Sequence, residues 1–141
     1  VYLWKVSNIN TNRKNVKTTN GITIEVEVQF QTKYSMPYSD QNVFTYEISI
    51  YNGNSFGVQL LRRYWKIWES NGTLREVKGE GVIGVQPVLP PNESHRYESF
   101  CPIISPIGKM SGTYQMIRLD NNEKFEVDIP EFLLNTPQML N

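Results

Sequence analysis

Gly79-Glu80-Gly81-Val82-Ile83-Gly84-Val85-Gln86-Pro87-Val88-Leu89-Pro90-Pro91 contains a GxGxxG hexad in a setting that rules out the fold such a hexad usually opens. In a dinucleotide-binding fold the third glycine begins a helix whose N-terminus holds a pyrophosphate. Here Pro87, Pro90 and Pro91 fall within five residues. Each removes a backbone donor and biases its predecessor towards extended geometry, so no helix can follow. The hexad therefore sits in a turn or loop between extended segments.

The sequence on either side of that loop is consistent with strands. Before it, Ile22, Ile24, Val26, Val28 and Phe30 alternate with polar residues, the pattern of a strand with one buried face. A second strand spans Val43–Tyr51 and is closed by the turn residues Asn52-Gly53-Asn54. In the run Val58–Trp68, Leu61, Trp65 and Ile67 share one parity, and Val58, Leu60, Tyr64 and Trp68 share the other. Such a run is either covered on both faces or contains a bulge, and it puts Trp65 and Trp68 on opposite sides. Ser70-Asn71-Gly72 predicts a hairpin into a short strand over 74–77. After the prolines come strands over 95–100, 113–119 and 124–129; Asp120-Asn121-Asn122 turns between the last two, and Pro130 ends the series. About seven strands with no amphipathic helix predict an all-β fold, a β-sandwich of the immunoglobulin or fibronectin type III-like kind.

At 141 residues the chain is expected to be one domain with a full core. Residues 1–18 are polar, show no period and read as a partly ordered N-terminal extension; the sandwich spans 19–135, and 136–141 form a tail. Fourteen basic and fourteen acidic residues cancel, which disfavours nucleic acid as the main partner. Local basic groups occur at Arg13-Lys14 with Lys17, read as a solvated face, and at Arg62-Arg63-Lys66. No apolar run approaches the roughly 18 residues of a membrane span. The first residues lack the order of a signal peptide, and residue 1 is not methionine, so the chain is trimmed or begins at an alternative start. The sequons at Asn71 and Asn92 are read as chance matches. With one cysteine, Cys101, no internal disulfide can form, and a cytoplasmic location is expected.

Little in the chain resembles catalytic machinery. His95 and Cys101 are the only residues of their kinds. Six residues apart on one strand, they would lie about 20 Å apart, too far for a dyad. Ser94 and His95 point to opposite faces. No clustered ligands for zinc are present. Glu76 and Glu80 share a parity beside the hexad and are candidates for a weak Mg²⁺ site, set against the plain reading of solvated carboxylates. No cofactor, metal or enzymatic activity is therefore expected.

Two readings of the hexad stand side by side. Amides of Gly79, Gly81 and Gly84 could form a phosphate-binding nest, with Arg62 or Arg63 adding charge. No Lys-Ser/Thr pair follows, so the loop is not a Walker A motif. Alternatively the glycines supply positive φ and close approach while Val82 and Ile83 plug the core. The aromatic content, 12%, is high, and Tyr34, Tyr38, Trp65, Trp68 and Tyr97 cannot all lie deep in so small a core. Aromatic and arginine residues are enriched where proteins meet, and Arg63, Tyr64 and Trp68 are the expected contact surface. Trp65 is assigned to the core, Trp68 and Tyr64 to partial exposure.

Several ordered blocks resemble the ApaG family: Thr19-Asn20-Gly21-Ile22-Thr23-Ile24, Val43-Phe44-Thr45-Tyr46, Val58-Gln59-Leu60-Leu61-x-Arg63-x-Trp65, Gly79-Glu80-Gly81-Val82-Ile83-Gly84-x-Gln86-Pro87, Gly108-x-Met110-x-Gly112-x-Tyr114 and Phe125-x-Val127-x-Ile129-Pro130-x-Phe132. The resemblance covers about residues 19–134. It departs at Tyr64, where the family commonly has histidine, and at Glu69, where it commonly has aspartate. It implies a fibronectin-type sandwich with no established catalysis. It also implies an association with diadenosine tetraphosphate metabolism and with cobalt and magnesium resistance, and a role as a protein-binding accessory domain. The expected function is thus non-catalytic binding of an unidentified protein, with a phosphate-containing ligand as the alternative and a homodimer through an exposed edge strand left open.

Overall fold

The computed structural model describes residues 13–32 and 41–137. Tyr34 and Tyr38 lie outside the described residues. Among the described residues there are nine strands: β1 Arg13–Thr19, β2 Ile22–Phe30, β3 Asn42–Asn52, β4 Val58–Glu69, β5 Leu74–Glu80, β6 Val88–Leu89, β7 Ser94–Ile103, β8 Ile107–Arg118 and β9 Lys124–Asn135. All longer pairings are antiparallel. One sheet runs β1-β2-β3-β7 and the other β5-β4-β8-β9, with the short β6 added beside β4. The two sheets bury the alternating apolar residues between them, and Tyr46, Trp65 and Phe132 interlock across the gap with ring centroids 5.6–5.9 Å apart. The β-sandwich expected from the sequence is the observed architecture.

The strand count is higher than expected for identifiable reasons. β1 carries no alternation, yet Asn20 (φ 51°) and Gly21 (φ 77°) form a two-residue hairpin turn that folds it back along β2 from Ile22 to Val28. The sandwich thus includes Arg13–Thr19. β9 does not stop at Pro130 but continues to Asn135. The β8–β9 register shifts between Met110, opposite Phe132, and Gly112, opposite Ile129, so Pro130 and Glu131 oppose Ser111 alone. A bulge is one of the few places in a sheet that tolerates proline, because the ladder there needs no donor from it.

The ambiguous run at 58–68 also resolves as a bulge. Leu61 is the extra residue in β4 opposite β8, and the inward parity switches there from Val58 and Leu60 to Trp65, Ile67 and Glu69. Trp65 is buried at 3% exposure and Trp68 projects outward at 37%, as the sequence parity indicated.

Candidate functional site

The hexad lies where β5 leaves the sheet. The Gly81 amide donates to the carbonyl of Leu61 at 2.8 Å. Val82 and Val85 then exchange two backbone hydrogen bonds, 2.8 and 3.1 Å, across a turn whose central residues Ile83 (φ 45°) and Gly84 (φ 76°) are both left-handed. This is a type I′ hairpin turn. The amides of Gly81, Val82 and Val85 are therefore bonded within the fold instead of converging on a common centre. Val82 plugs the core, as expected, but Ile83 does not: it stands out at 61% exposure. A β-branched residue at positive φ is a genuine conformational outlier.

Gly81 is required by the backbone that passes over it, and Gly79 lies beneath a side chain. A Cβ on Gly81 would lie 2.1 Å from the carbonyl oxygen of Val85. A Cβ on Gly79 would lie 2.8 Å from both terminal nitrogens of Arg63, whose guanidinium crosses that position. Arg63 Nη1 donates to the carbonyl oxygens of Glu80, 2.9 Å, and Gly81, 3.0 Å. Arg62 points to the other side of the sheet, 3.9 Å from the Glu80 carboxylate. The two arginines are thus separated, and Arg63 is joined to the glycine loop.

Arg63 faces a cavity of about 300 Å³ between the edge strands β5 and β7. Its floor includes Tyr46, Trp65 and Tyr97, and Arg75 and Cys101 lie along it. Its rim carries Val77 and Ile83, which are 38 and 61% exposed, and Phe100, 66% exposed, borders it from the outward-facing positions of β7. The Tyr97 and Tyr114 hydroxyls are hydrogen-bonded to each other across the two sheets. Burial pushes both phenols above the usual tyrosine range, and the nearby Arg63 charge pulls back only in part. Burial likewise pushes the Cys101 thiol up, partly offset by Arg75. Neither the phenols nor the thiol is activated as a nucleophile.

One end of this cavity is held by Glu69, which is buried at 4% exposure. Its Oε1 accepts the amides of Ile104 (2.9 Å) and Ser105 (3.0 Å), and its Oε2 lies 3.7 Å from Arg75. Arg75 in turn donates to the carbonyl of Pro102 at 2.9 Å. Sequence reasoning noted Glu69 only as a departure from a family pattern and missed this clamp. The signal available was an acidic residue at an inward position just before the hairpin Ser70-Asn71-Gly72.

Tyr64 and Trp68 are on the outer face of β4, opposite to Arg63. The Tyr64 hydroxyl donates to Glu76 at 2.7 Å, and the ammonium groups of Lys78 and Lys66 lie 5.1 and 5.8 Å from its ring centre. Lys109 covers Trp68 at 5.5 Å. The three residues expected to form one contact surface therefore divide between two faces. Glu76 is engaged by Tyr64 and Glu80 faces Arg62; among the described residues no three His, Cys, Asp or Glu side chains converge as metal ligands would. No helix among the described residues is long and apolar enough to cross a membrane.

Comparison with known proteins places this arrangement. A family model described as the ApaG domain matches residues 32–118. A relative named Protein ApaG from Methylorubrum populi is 43% identical over 121 residues, covering 86% of this chain and 92% of its own. One of the same name from Brucella canis is 42% identical over 120 residues, with 85% and 92% covered. A crystal structure described as an ApaA protein from Bordetella pertussis superposes with a TM-score of 0.79 at 38% identity, covering 89% of this chain and 98% of that one. The names these relatives carry denote no reaction.

Proposed function

The chain belongs to the ApaG family, and we propose that it is a non-catalytic, cytoplasmic protein-binding sandwich that docks its partner on the open edge between β5 and β7. The observation that carries this reading is Ile83. An isoleucine held at φ 45° costs roughly 1–3 kcal/mol of backbone strain. With 61% of its surface in water, it gains little burial to offset that cost. Strain kept at an exposed apolar tip is explained by a partner that covers the tip. Val77 extends the same apolar rim, Phe100 adds an exposed apolar side chain on the outward-facing positions of β7, and among the described residues β5 and β7 are sheet edges, each with one side open to an added strand.

Arg63 belongs to this surface; Tyr64 and Trp68, on the outer face, do not. On this reading the family's association with cobalt and magnesium resistance and with dinucleoside polyphosphates acts through the partner. Phosphate binding by the hexad has less support, because three loop amides are bonded internally and the two arginines diverge. Affinity purification from the source cells with the wild-type chain and with Phe100→Asp tests the proposal. A protein retained by the first and lost by the second is expected. Equal recovery on both would place the contact elsewhere.

A further inference from the structure

The open edge holds a charge that the other described residues do not answer. Among the described residues, Arg63 has no carboxylate within salt-bridge distance, although Arg62, Arg75, Arg96 and Arg118 each have one. It is also only partly exposed, beside buried tyrosines. Partial burial of an unpaired cation is costly, so an absent counter-ion there needs a reason.

Its geometry is also half used. Nη1 is held by the carbonyls of Glu80 and Gly81, which fixes the guanidinium plane. Among the described residues, Nε and Nη2 have no hydrogen-bond partner. These two nitrogens form the side-on fork that grips a carboxylate by two parallel hydrogen bonds. The glycines then acquire a purpose. Gly79 leaves room for the guanidinium, and Gly81 folds the loop so that two carbonyls meet it.

We propose that Arg63 is the specificity-determining residue of the groove, seating the carboxylate of an Asp or Glu side chain on a docked protein segment whose neighbouring apolar residues cover Ile83 and Phe100. The inference rests on the docking reading above and names the chemistry of its partner. One guanidinium supplies one positive charge, because Arg75 already shares Glu69. That balance suits a single carboxylate better than a phosphate carrying close to two charges.

A display library of random octapeptides panned on the full chain, with Phe100→Asp panned in parallel, tests this. Selected peptides are expected to carry an acidic residue beside apolar ones. Replacing that acid by its amide in the best peptide should weaken binding at least about tenfold on the wild type and have no effect on Arg63→Gln. Arg63→Lys, which keeps the charge without the fork, should recover only part of the difference. The amide exchange in the peptide needs no protein variant, so it decides the question even if Arg63→Gln misfolds. Peptides free of acidic enrichment that are lost on Phe100→Asp would overturn the carboxylate seat and leave the docking surface standing. No peptide above the Phe100→Asp background would remove both. Inorganic pyrophosphate shifting the Arg63 Nε resonance at lower concentration than the acidic peptide would also overturn the proposal.

Discussion

Where β1 passes β9, the sandwich is stitched shut; where β7 faces β5, it gapes. On the first side Asn15 Nδ2 donates to the Glu131 carbonyl at 2.8 Å, Asn20 Nδ2 to the Glu126 carbonyl at 3.1 Å, and the Asp128 amide to Thr19 Oγ1 at 3.3 Å. Lys17 adds an ion pair with Asp128 at 3.0 Å. On the second side, among the described residues, the sheets are linked through the Glu69–Arg75 clamp, which reaches the end of β7 at Pro102, Ile104 and Ser105, and through the Tyr97–Tyr114 bond, with the cavity between them. The difference shows where a small sandwich keeps its reactive surface. A closed side protects its edges with side-chain contacts, whereas the open side leaves backbone and apolar groups for something else to cover.

The largest loss is expected at the clamp. Glu69→Ala leaves the Ile104 and Ser105 amides without their acceptor and Arg75 without its carboxylate, and a loss of about 3 kcal/mol in urea unfolding is expected. Gly81→Ala comes next: a Cβ 2.1 Å from a backbone oxygen must open the loop, at a cost of about 2 kcal/mol. It should also displace the Arg63 Nε resonance, which a purely local change in stability would not do.

Ile83→Asn acts in the other direction. Asparagine tolerates the left-handed region, so stability should rise by about 1 kcal/mol while partner binding falls. A stabilised variant with full binding would remove the reason given for the strain. Asn15→Ala on the closed side should cost about 1 kcal/mol, the value of one side-chain-to-backbone hydrogen bond, and leave binding unchanged.

Raised pH acts on the open side. Tyr97 and Tyr114 have folded values above their unfolded ones, so their contribution is complete below the ordinary tyrosine value of 10.0 and is lost as pH rises past it. Their tyrosinate absorbance should therefore appear together with unfolding, as judged by circular dichroism. Ionisation of both with the fold intact would contradict that pairing.

Most of the fold was legible because one face of each long strand is buried, which writes a period of two into the sequence. β1 escaped because its residues are largely exposed and carry no such period, although Asn20-Gly21 is the same Asn-Gly hairpin signal as Asn52-Gly53 and Asn71-Gly72 and required a strand before it. Pro130 read as a stop because a bulge cannot be seen from one strand alone. The site was legible only in pieces. The proline run correctly denied the hexad its helix, yet nothing in GxGxxG says that an arginine from the neighbouring strand crosses its first glycine. Parity would have separated Arg63 from Tyr64 and Trp68. The role of Glu69 depends on a loop 35 residues away in sequence, which no local pattern encodes.

The most direct test of the open-edge account is site-specific photocrosslinking in the source cells, with a photoreactive residue placed in turn at Phe100 on β7 and at Val16 on β1, both exposed apolar positions. The account predicts a discrete protein adduct from position 100 and none from position 16. An adduct from position 16 alone, or from neither, would contradict it.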